Sequence, residues 1–206
     1  MGYQINTTDL YNIYNASLQN KTIADDYFKQ RHLINHQAGF IYDYGNIKNS
    51  IIYPVFNATN ILIALECRDI YEKRFIKLKA HQQGLMLYNI NNAILNRNYV
   101  IITEGIFDAE SLIQNDFSAI AILRATLSQP AMHLLTYFNV IYLALDNDEV
   151  GIEKTKMILE FYKRYYPNHN IQVIEYYGKD INESLIVDKN FKSQISQQLS
   201  ENLICV

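Results

Sequence analysis

The sequence predicts an α/β protein in two parts: a small α+β region over residues 1–97, then a mainly parallel sheet flanked by helices over residues 98–206. Three observations predict it. Short apolar runs separated by turn residues fill the middle of the first part. In the second part, strand-like runs alternate with helical segments of about 10–15 residues, which is typical of βαβ crossovers. These later runs are continuously apolar, as in a sheet covered on both faces.

The first part begins with a helical region of about 35 residues. Its clearest helix is TIADDYFKQRHL (22–33), with Thr22 as the N-cap and Asp25 and Asp26 in the first turn. Four strand-like runs follow, and the turns between them predict a small, mostly antiparallel β-unit. The runs are GFIYDYG, SIIYPVF, NILIALECRDI and RFIKLK.

A predicted helix, GLMLYNINNAIL (84–95), connects this β-unit to the second part. Strands and helices then alternate until about residue 177, which predicts parallel pairing through crossover connections. The strands are NYVIITEG, AIAILRA, VIYLALD and NIQVIEYY, and the helices between them are IFDAESLIQND, QPAMHLLTYF and EVGIEKTKMILEFYKRY.

Composition excludes several classes of protein. The chain has 206 residues, of which 49% are hydrophobic, and its net charge of −3 does not by itself indicate a nucleic-acid binder. Cys67 and Cys205 are too few for a disulfide framework or a cysteine-based zinc site, and they suit a reducing cytosol. No signal peptide or 18-residue apolar span is present, so we expect a cytoplasmic protein without a membrane partner.

Acidic residues follow three of the predicted strands. The motifs are Glu104-Gly105-x-x-Asp108, Asp146-Asn147-Asp148-x-x-Gly151 and Gly178-Lys179-Asp180-x-Asn182-Glu183. Functional groups of parallel α/β sheets lie beyond the carboxyl ends of the strands. If the first two strands are neighbours, Glu104, Asp146 and Asp148 crowd one edge, where cations or protons must offset their repulsion. Carboxylates without cysteine or clustered histidine favour Mg²⁺ or Mn²⁺ over zinc.

Each acid also has a simpler interpretation. An aspartate after a strand is commonly a helix N-cap, and Asp148 could cap the helix that begins near Glu149. Three such motifs, in this order on βα junctions of one sheet, are harder to explain by capping alone. The metal interpretation requires Glu104 to lie near Asp146 and Asp148, with no basic side chain neutralising them where a cation should sit.

These motifs resemble the Toprim domain, the metal-binding fold of DnaG-type primases, topoisomerases and some nucleases. "EGIFDAESL" and "GKDINESL" are similar to the acidic motifs of primases and primase-helicases. Three upstream segments extend the resemblance to the primase catalytic core, over about residues 22–185. They are "DDYFKQRHL", "IIYPVFNATNILIALECRDI" and "GLMLYNINNAI".

The resemblance implies DNA-templated synthesis of short RNA primers by a primase-type nucleotidyltransferase. It implies catalytic roles for Glu104, Asp108, Asp146 and Asp148, and metal binding by Glu104, Asp146, Asp148 and Asp180. Partners would be single-stranded DNA and ribonucleoside triphosphates, with a replicative helicase supplied in trans. The primase zinc ribbon and helicase domain are not expected here, and the chain resembles a stripped core from a phage or mobile element.

The first part would bind template and nucleotide. Its densest basic stretch is ECRDIYEKRFIKLKA, and in "FIKLK" apolar and basic residues alternate. These lysines could instead protect an exposed sheet edge from pairing with another chain. The resemblance favours a surface that binds the phosphates of a nucleic acid. The expected nucleic-acid or nucleotide ligands are Arg68, Lys73, Arg74, Lys77, Lys79, Arg124 and Lys179.

Two departures from primases leave other functions open. Gln83 stands where a lysine is usual, and Arg124 lies where many primases have a Gly-Thr pair. A Toprim nuclease and a catalytically impaired replication accessory protein are therefore the alternatives.

Overall fold

The computed structural model describes residues 2–72, 74–80, 85–123 and 127–203. The chain divides into two compact units, Met1–Asn91 and Asn92–Val206, and each contains its own sheet. The boundary placed from the sequence, between residues 97 and 98, lies a few residues further along the chain.

The first unit is an α+β fold around a five-stranded sheet in the order β1-β5-β4-β3-β2. Strand β1 runs parallel to β5, and the other neighbours are antiparallel, which confirms the mostly antiparallel β-unit. The elements are β1 Gly2–Ile5, α1 Thr7–Leu18, α2 Lys21–Lys29, β2 Gly39–Tyr44, β3 Ile47–Phe56, β4 Leu62–Asp69, β5 Phe75–Ala80 and α3 Ile90–Ala93.

Helix α1 covers one face of this sheet. The side chain of Asn6 caps it by accepting a hydrogen bond from the Asp9 N–H at 2.8 Å. Leu10 and Ile13, one turn apart, then enter an apolar cluster with residues of β3, β4 and β5. Cys67 belongs to the same cluster and is 1% exposed, and burial raises the pKa of its thiol.

Three predictions for this unit were wrong in detail. Strand β1 was not expected, because its pairing partner lies more than 70 residues away along the chain. Thr22 lies inside α2 and does not cap it, since the helix already begins at Lys21 after Asn20. The predicted helix 84–95 is reduced to Ile90–Ala93, because Asn89 adopts a left-handed backbone conformation with φ of 63°.

The second unit contains a four-stranded, fully parallel sheet in the order β7-β6-β8-β9, which confirms the predicted parallel sheet flanked by helices. Helix α6 spans the residues predicted for it. The elements are β6 Tyr99–Thr103, α4 Ile106–Ile113, β7 Ala119–Ala121, α5 Gln129–Leu135, β8 Val140–Leu143, α6 Glu149–Tyr165, β9 Asn170–Val173, α7 Ile181–Val187 and α8 Phe191–Leu203.

The core of the second unit is closed partly by its two last helices, which the sequence analysis did not predict. Ile181 of α7 and Phe191 and Ile195 of α8 pack with Ile101 and Val140 of the central strands. Within the described ranges, every helix is too short or too polar to cross a lipid bilayer.

Candidate metal centre

The acidic motifs lie at the topological switch point of the parallel sheet. From β6 the chain crosses to β7 on one side, whereas β8 and β9 lie on the other. The loops after β6 and β8 therefore diverge, which opens a crevice at the carboxyl edge. Ile102 is paired with Leu143, so Glu104 and Asp146 both follow the ends of neighbouring strands.

Asp146 is surrounded by other carboxylates. Its pKa is raised to about 6, first by burial and then by the negative charges of Glu104, Asp180 and Asp148, while Lys179 acts in the opposite direction. The structure thus brings four predicted acids close enough for their charges to interact: Glu104, Asp146, Asp148 and Asp180. Their repulsion is the property expected of a cation site.

Asp108 is the most buried member of the predicted set. Burial, followed by the charge of Asp180, raises the pKa of Asp108 to about 7. Its Oδ1 accepts a hydrogen bond from the Asn182 N–H at 3.1 Å, and the Asn182 side chain donates to the Ser111 hydroxyl at 3.0 Å. Asp108 therefore joins α4 to α7 behind the acidic edge.

The capping interpretation also holds for two of the acids. Asp148 Oδ1 accepts the Gly151 N–H at 2.9 Å and begins α6, while Asp180 Oδ1 accepts the Glu183 N–H at 2.8 Å and begins α7. Each cap uses one oxygen of a carboxylate that carries two. Capping and metal binding are thus compatible at both positions.

Two residues position the loops that carry these acids. Asn147 donates from its backbone N–H to the Lys179 carbonyl and from its side chain to the Gly178 carbonyl, both at 2.8 Å. These bonds tie the loop after β8 to the loop after β9. At Gly151, any Cβ would overlap the carbonyl oxygen of Asp146, so only glycine lets α6 begin this close to the acid.

Lys154, which was not among the predicted site residues, forms an ion pair with Glu104 through Nζ and Oε2. The two side chains are only 10% and 18% exposed. The other Glu104 oxygen, Oε1, is buried without a hydrogen-bond partner. A signal existed in the sequence, because Lys154 occupies the buried face of α6 between Gly151 and Ile158, where an apolar residue would be usual.

The requirement that no basic side chain neutralise the acids is therefore met only in part. Lys154 pairs with Oε2 of Glu104, yet Glu104 is still the first of the neighbouring carboxylates whose negative charge raises the pKa of Asp146. Over the part of the chain that the structure describes, no group of three or more His, Cys, Asp or Glu side chains is placed to hold a metal ion. The carboxylates fit a hard cation in type and charge, with no more than two of them as direct ligands.

The predicted basic residues of the first unit lie on β4, β5 and their connection. Ile76 and Leu78 are buried in the core, as the alternating pattern predicts, and Lys77 projects from the other face. That face is not purely basic, because Lys77 Nζ lies 3.1 Å from Glu66 Oε2. Burial raises the pKa of Glu66, and Lys77 and Lys79 oppose that shift.

The remaining basic candidates are held by local contacts or lie outside the description. The Arg68 guanidinium lies 5.1 Å from the centre of the Phe75 ring, and Arg74 is 3.8 Å from Glu72. Lys179 lies in the loop after β9, where its charge acts on Asp146. Lys73, Gln83 and Arg124 lie outside the described residues.

Comparison with known families supports this assignment of the second unit. Residues 101–185 match the family model described as Toprim-like. No curated protein sequence matches the chain. Residues 101–185 of the second unit are thus similar to a Toprim-like domain, in agreement with the resemblance of the acidic motifs.

Solved structures extend the match to nearly the whole chain. A DnaG primase catalytic domain bound to ssDNA is 18% identical with a TM-score of 0.75, and the match covers 96% of this chain and 80% of that one. The E. coli primase catalytic core is 17% identical with a TM-score of 0.73, covering 96% and 82%. The primase fragment of the bacteriophage T7 primase-helicase is 18% identical with a TM-score of 0.57, covering 73% and 62%. The chain therefore has the fold of a DnaG-type primase catalytic core.

Proposed function

We propose that this protein is a metal-dependent nucleotidyltransferase of the primase type, which makes short RNA primers on single-stranded DNA during replication. The observation that carries the proposal is the acidic cluster around Asp146, at the switch point of a Toprim-like sheet. The fold shared with primase catalytic cores agrees with it.

Asp146 and Asp148 would hold Mg²⁺ or Mn²⁺, with Asp180 nearby. Mg²⁺ is usually held by one or two protein carboxylates, and water and substrate phosphates complete its coordination. When bound, such a cation would neutralise charge on the phosphates and polarise them as a Lewis acid. No zinc is required by this proposal.

The chemistry is attack of a primer 3′-hydroxyl on the α-phosphorus of an incoming nucleotide. The new bond joins the hydroxyl oxygen to that phosphorus while the bond to the β-phosphate bridge breaks and pyrophosphate leaves. Glu104 Oε1, buried and without a partner, would accept the hydroxyl proton. Lys179 would contact phosphate oxygens, and Asp108 would hold α4 and α7 in place behind the acids.

Template and nucleotide would bind through the basic residues of the first unit. Residues 66–79 contain five basic and three acidic residues, so this segment carries a formal charge of +2. Binding to single-stranded DNA through Arg68, Arg74, Lys77 and Lys79 would be weak and sensitive to salt. Lys73 and Arg124 are proposed to contribute on the strength of the sequence alone.

One of the similar structures carries single-stranded DNA, and another comes from a primase-helicase. By analogy, we infer that this protein works with a replicative helicase supplied in trans, in a bacterial or phage-infected cell. Association with such a helicase would raise the local concentration of template, which offsets weak intrinsic binding.

The test is a primer-synthesis assay with single-stranded DNA, ribonucleotides and Mg²⁺ or Mn²⁺, with and without a replicative helicase. Wild type is expected to make oligoribonucleotides, and Asp146→Ala is expected to lower the rate at least about 100-fold. The matched control is Asp26→Ala, which removes an exposed carboxylate of α2 and should leave the rate unchanged.

Two results would reject primer synthesis. One is product formation by Asp146→Ala at the wild-type rate. The other is metal-dependent cutting of nucleic acid without added nucleotides and without any primer product, which would instead identify a Toprim nuclease.

A further inference from the structure

We propose that a cavity at the amino edge of the parallel sheet binds an unpaired nucleotide of a single-stranded nucleic acid through Arg97 and Tyr137. The cavity has a volume of about 530 Å³ and lies in the second unit, where β6, β8 and β9 begin. This inference goes beyond the proposed function, because the acidic motifs lie at the opposite edge of the sheet. Strand β6 has five residues, which places the two edges roughly 15 Å apart.

The register of the strands brings the walls of the cavity together. Tyr99 of β6 is paired with Val140 of β8, and Val140 is paired with Asn170 of β9. The segments that precede these strands therefore lie side by side. The Asn139 N–H also donates to the Arg97 carbonyl at 2.8 Å, so the backbone around the cavity is fixed by the sheet.

Arg97 is the cationic group of the cavity. Its guanidinium lies 4.7 Å from the centre of the Tyr137 ring, and Tyr137 is 39% exposed. Arg97 forms no ion pair with any carboxylate that the structure describes. An arginine held by an aromatic ring keeps its N–H groups available for phosphate oxygens, and the planar groups of both residues can stack on a base.

The rest of the lining is polar without adding charge. Burial lowers the pKa of His169, so its ring is neutral at neutral pH. None of the described residues that line the cavity is an acid, and a polyanion is therefore not repelled. Four asparagines supply amide groups that both donate and accept hydrogen bonds, as the edges of bases require. They are Asn98, Asn139, Asn168 and Asn170.

A nucleotide is the ligand that uses all of these groups. An acidic peptide would use the guanidinium and leave the aromatic ring and the amides without a role. The volume suits a nucleotide, since ligand pockets commonly enclose about 300–1,000 Å³. With one arginine, the site should contact one phosphate, which would contribute about 0.7 to the slope of log affinity against log salt concentration.

The test is photo-crosslinking of the full chain, in chelator, to a DNA oligonucleotide with 5-bromodeoxyuridine and to an RNA oligonucleotide with 5-bromouridine. Mass spectrometry of the peptides then locates the label, which is expected on Tyr137 in wild type. Arg97→Gln removes the cation and should lower the labelling of Tyr137 at least about fivefold.

The chain offers a matched control for this variant. The Arg164 guanidinium lies 5.3 Å from the centre of the exposed Tyr165 ring, but neither residue lines the cavity. Arg164→Gln should therefore leave the labelling of Tyr137 unchanged. Equal labelling of Tyr165 and Tyr137 in wild type would show that any exposed pair of arginine and tyrosine suffices, which would overturn the inference.

A second variant covers the case in which Arg97→Gln does not fold, as judged by circular dichroism. Asn139→Asp adds a negative charge to the cavity with little change in shape, so it should also lower the labelling of Tyr137. Wild-type labelling in either folded variant would overturn the inference.

The two oligonucleotides identify the strand that binds. Labelling of Tyr137 by DNA, by RNA or by both supports the site, and labelling by neither would overturn it. Because the experiment requires no metal and no catalysis, its failure would leave the proposed function standing. A failed primer-synthesis assay would likewise leave this site standing.

Discussion

At the scale of single residues, Asp146 and Asp108 are acids whose environment opposes their negative charge. The pKa values of about 6 and about 7 both arise first from burial and then from neighbouring carboxylates. An unfolded chain offers neither effect, and its aspartates have a pKa near 3.8. In the folded, metal-free protein these two groups therefore retain protons that the unfolded chain has already lost.

Stability without metal should consequently fall as pH rises. Because the folded pKa values exceed the unfolded value, the stabilising contribution is full below about pH 4 and is lost as pH rises to about 7. Chemical denaturation in a chelator at pH 5 and pH 7 measures this loss. Asp146→Asn, which resembles the protonated acid, should lose less stability over this interval than wild type.

The control for this experiment is Asp26→Asn, an exposed aspartate of α2, which should show the wild-type dependence on pH. An Asp146→Asn variant that loses as much stability as wild type between pH 5 and pH 7 would contradict the electrostatic interpretation.

The acids themselves could be predicted from the sequence, whereas their pairing with Lys154 could not. Each acid follows an apolar strand, so a local pattern places it at the sheet edge. Lys154 lies 50 residues from Glu104 in the sequence, and their contact depends on how α6 packs on the sheet. Only its position on the buried face of α6 distinguished Lys154 from the surface lysines of that helix.

At the scale of elements, the two aspartates Asp148 and Asp180 begin helices, and their negative charges also act on Asp146. Helix α6 was predicted over its full length because its cap, its apolar face and its basic last turn are all local signals. Strand β1 and helix α3 were not predicted correctly. The first depends on a distant partner, and the second is shortened by a single left-handed residue.

The two roles of Asp148 can be separated by substitution. Asparagine caps a helix about as well as aspartate but is a poorer ligand for Mg²⁺, whereas alanine does neither. In chelator, Asp148→Ala should lower the free energy of unfolding by about 1 kcal/mol, and Asp148→Asn by only a few tenths. Both variants should bind Mn²⁺ about tenfold more weakly or worse.

Denaturation and calorimetric titration of the same preparations provide the measurement. Equal destabilisation by asparagine and alanine would show that the cap is not what Asp148 contributes to folding. Wild-type Mn²⁺ affinity in Asp148→Asn would show that Asp148 is not a ligand in the proposed metal centre.

At the scale of the whole molecule, the chain contains two units with apolar clusters of their own. One cluster lies within residues 10–80 and another within residues 101–199. The first is assembled from antiparallel strands and α1, the second from parallel strands and the helices that follow them. The division was visible in the sequence as a change from closely spaced strands to alternating strands and helices.

Because each unit has its own apolar core, we expect a core substitution in one unit to destabilise that unit and to leave the other unchanged. Leu65 of β4 is 0% exposed, and Leu65→Ala should cost about 2–5 kcal/mol. Hydrogen exchange followed by mass spectrometry should then show faster exchange in β3, β4 and β5, with little change in β6 and β8. Ile61→Ala, at a half-exposed neighbouring position, is the control. Faster exchange throughout the second unit would contradict independent stability.

The buried thiol of Cys67 has a practical consequence for handling this molecule. Because the thiolate is the reactive form, a cysteine enclosed in the core of the first unit is chemically silent while that unit stays folded. If Cys205 is replaced by serine and a new cysteine is placed on the surface, a thiol-reactive dye should label only the new cysteine in the native protein. Slow labelling of Cys67 would then measure the rate at which the core of the first unit opens.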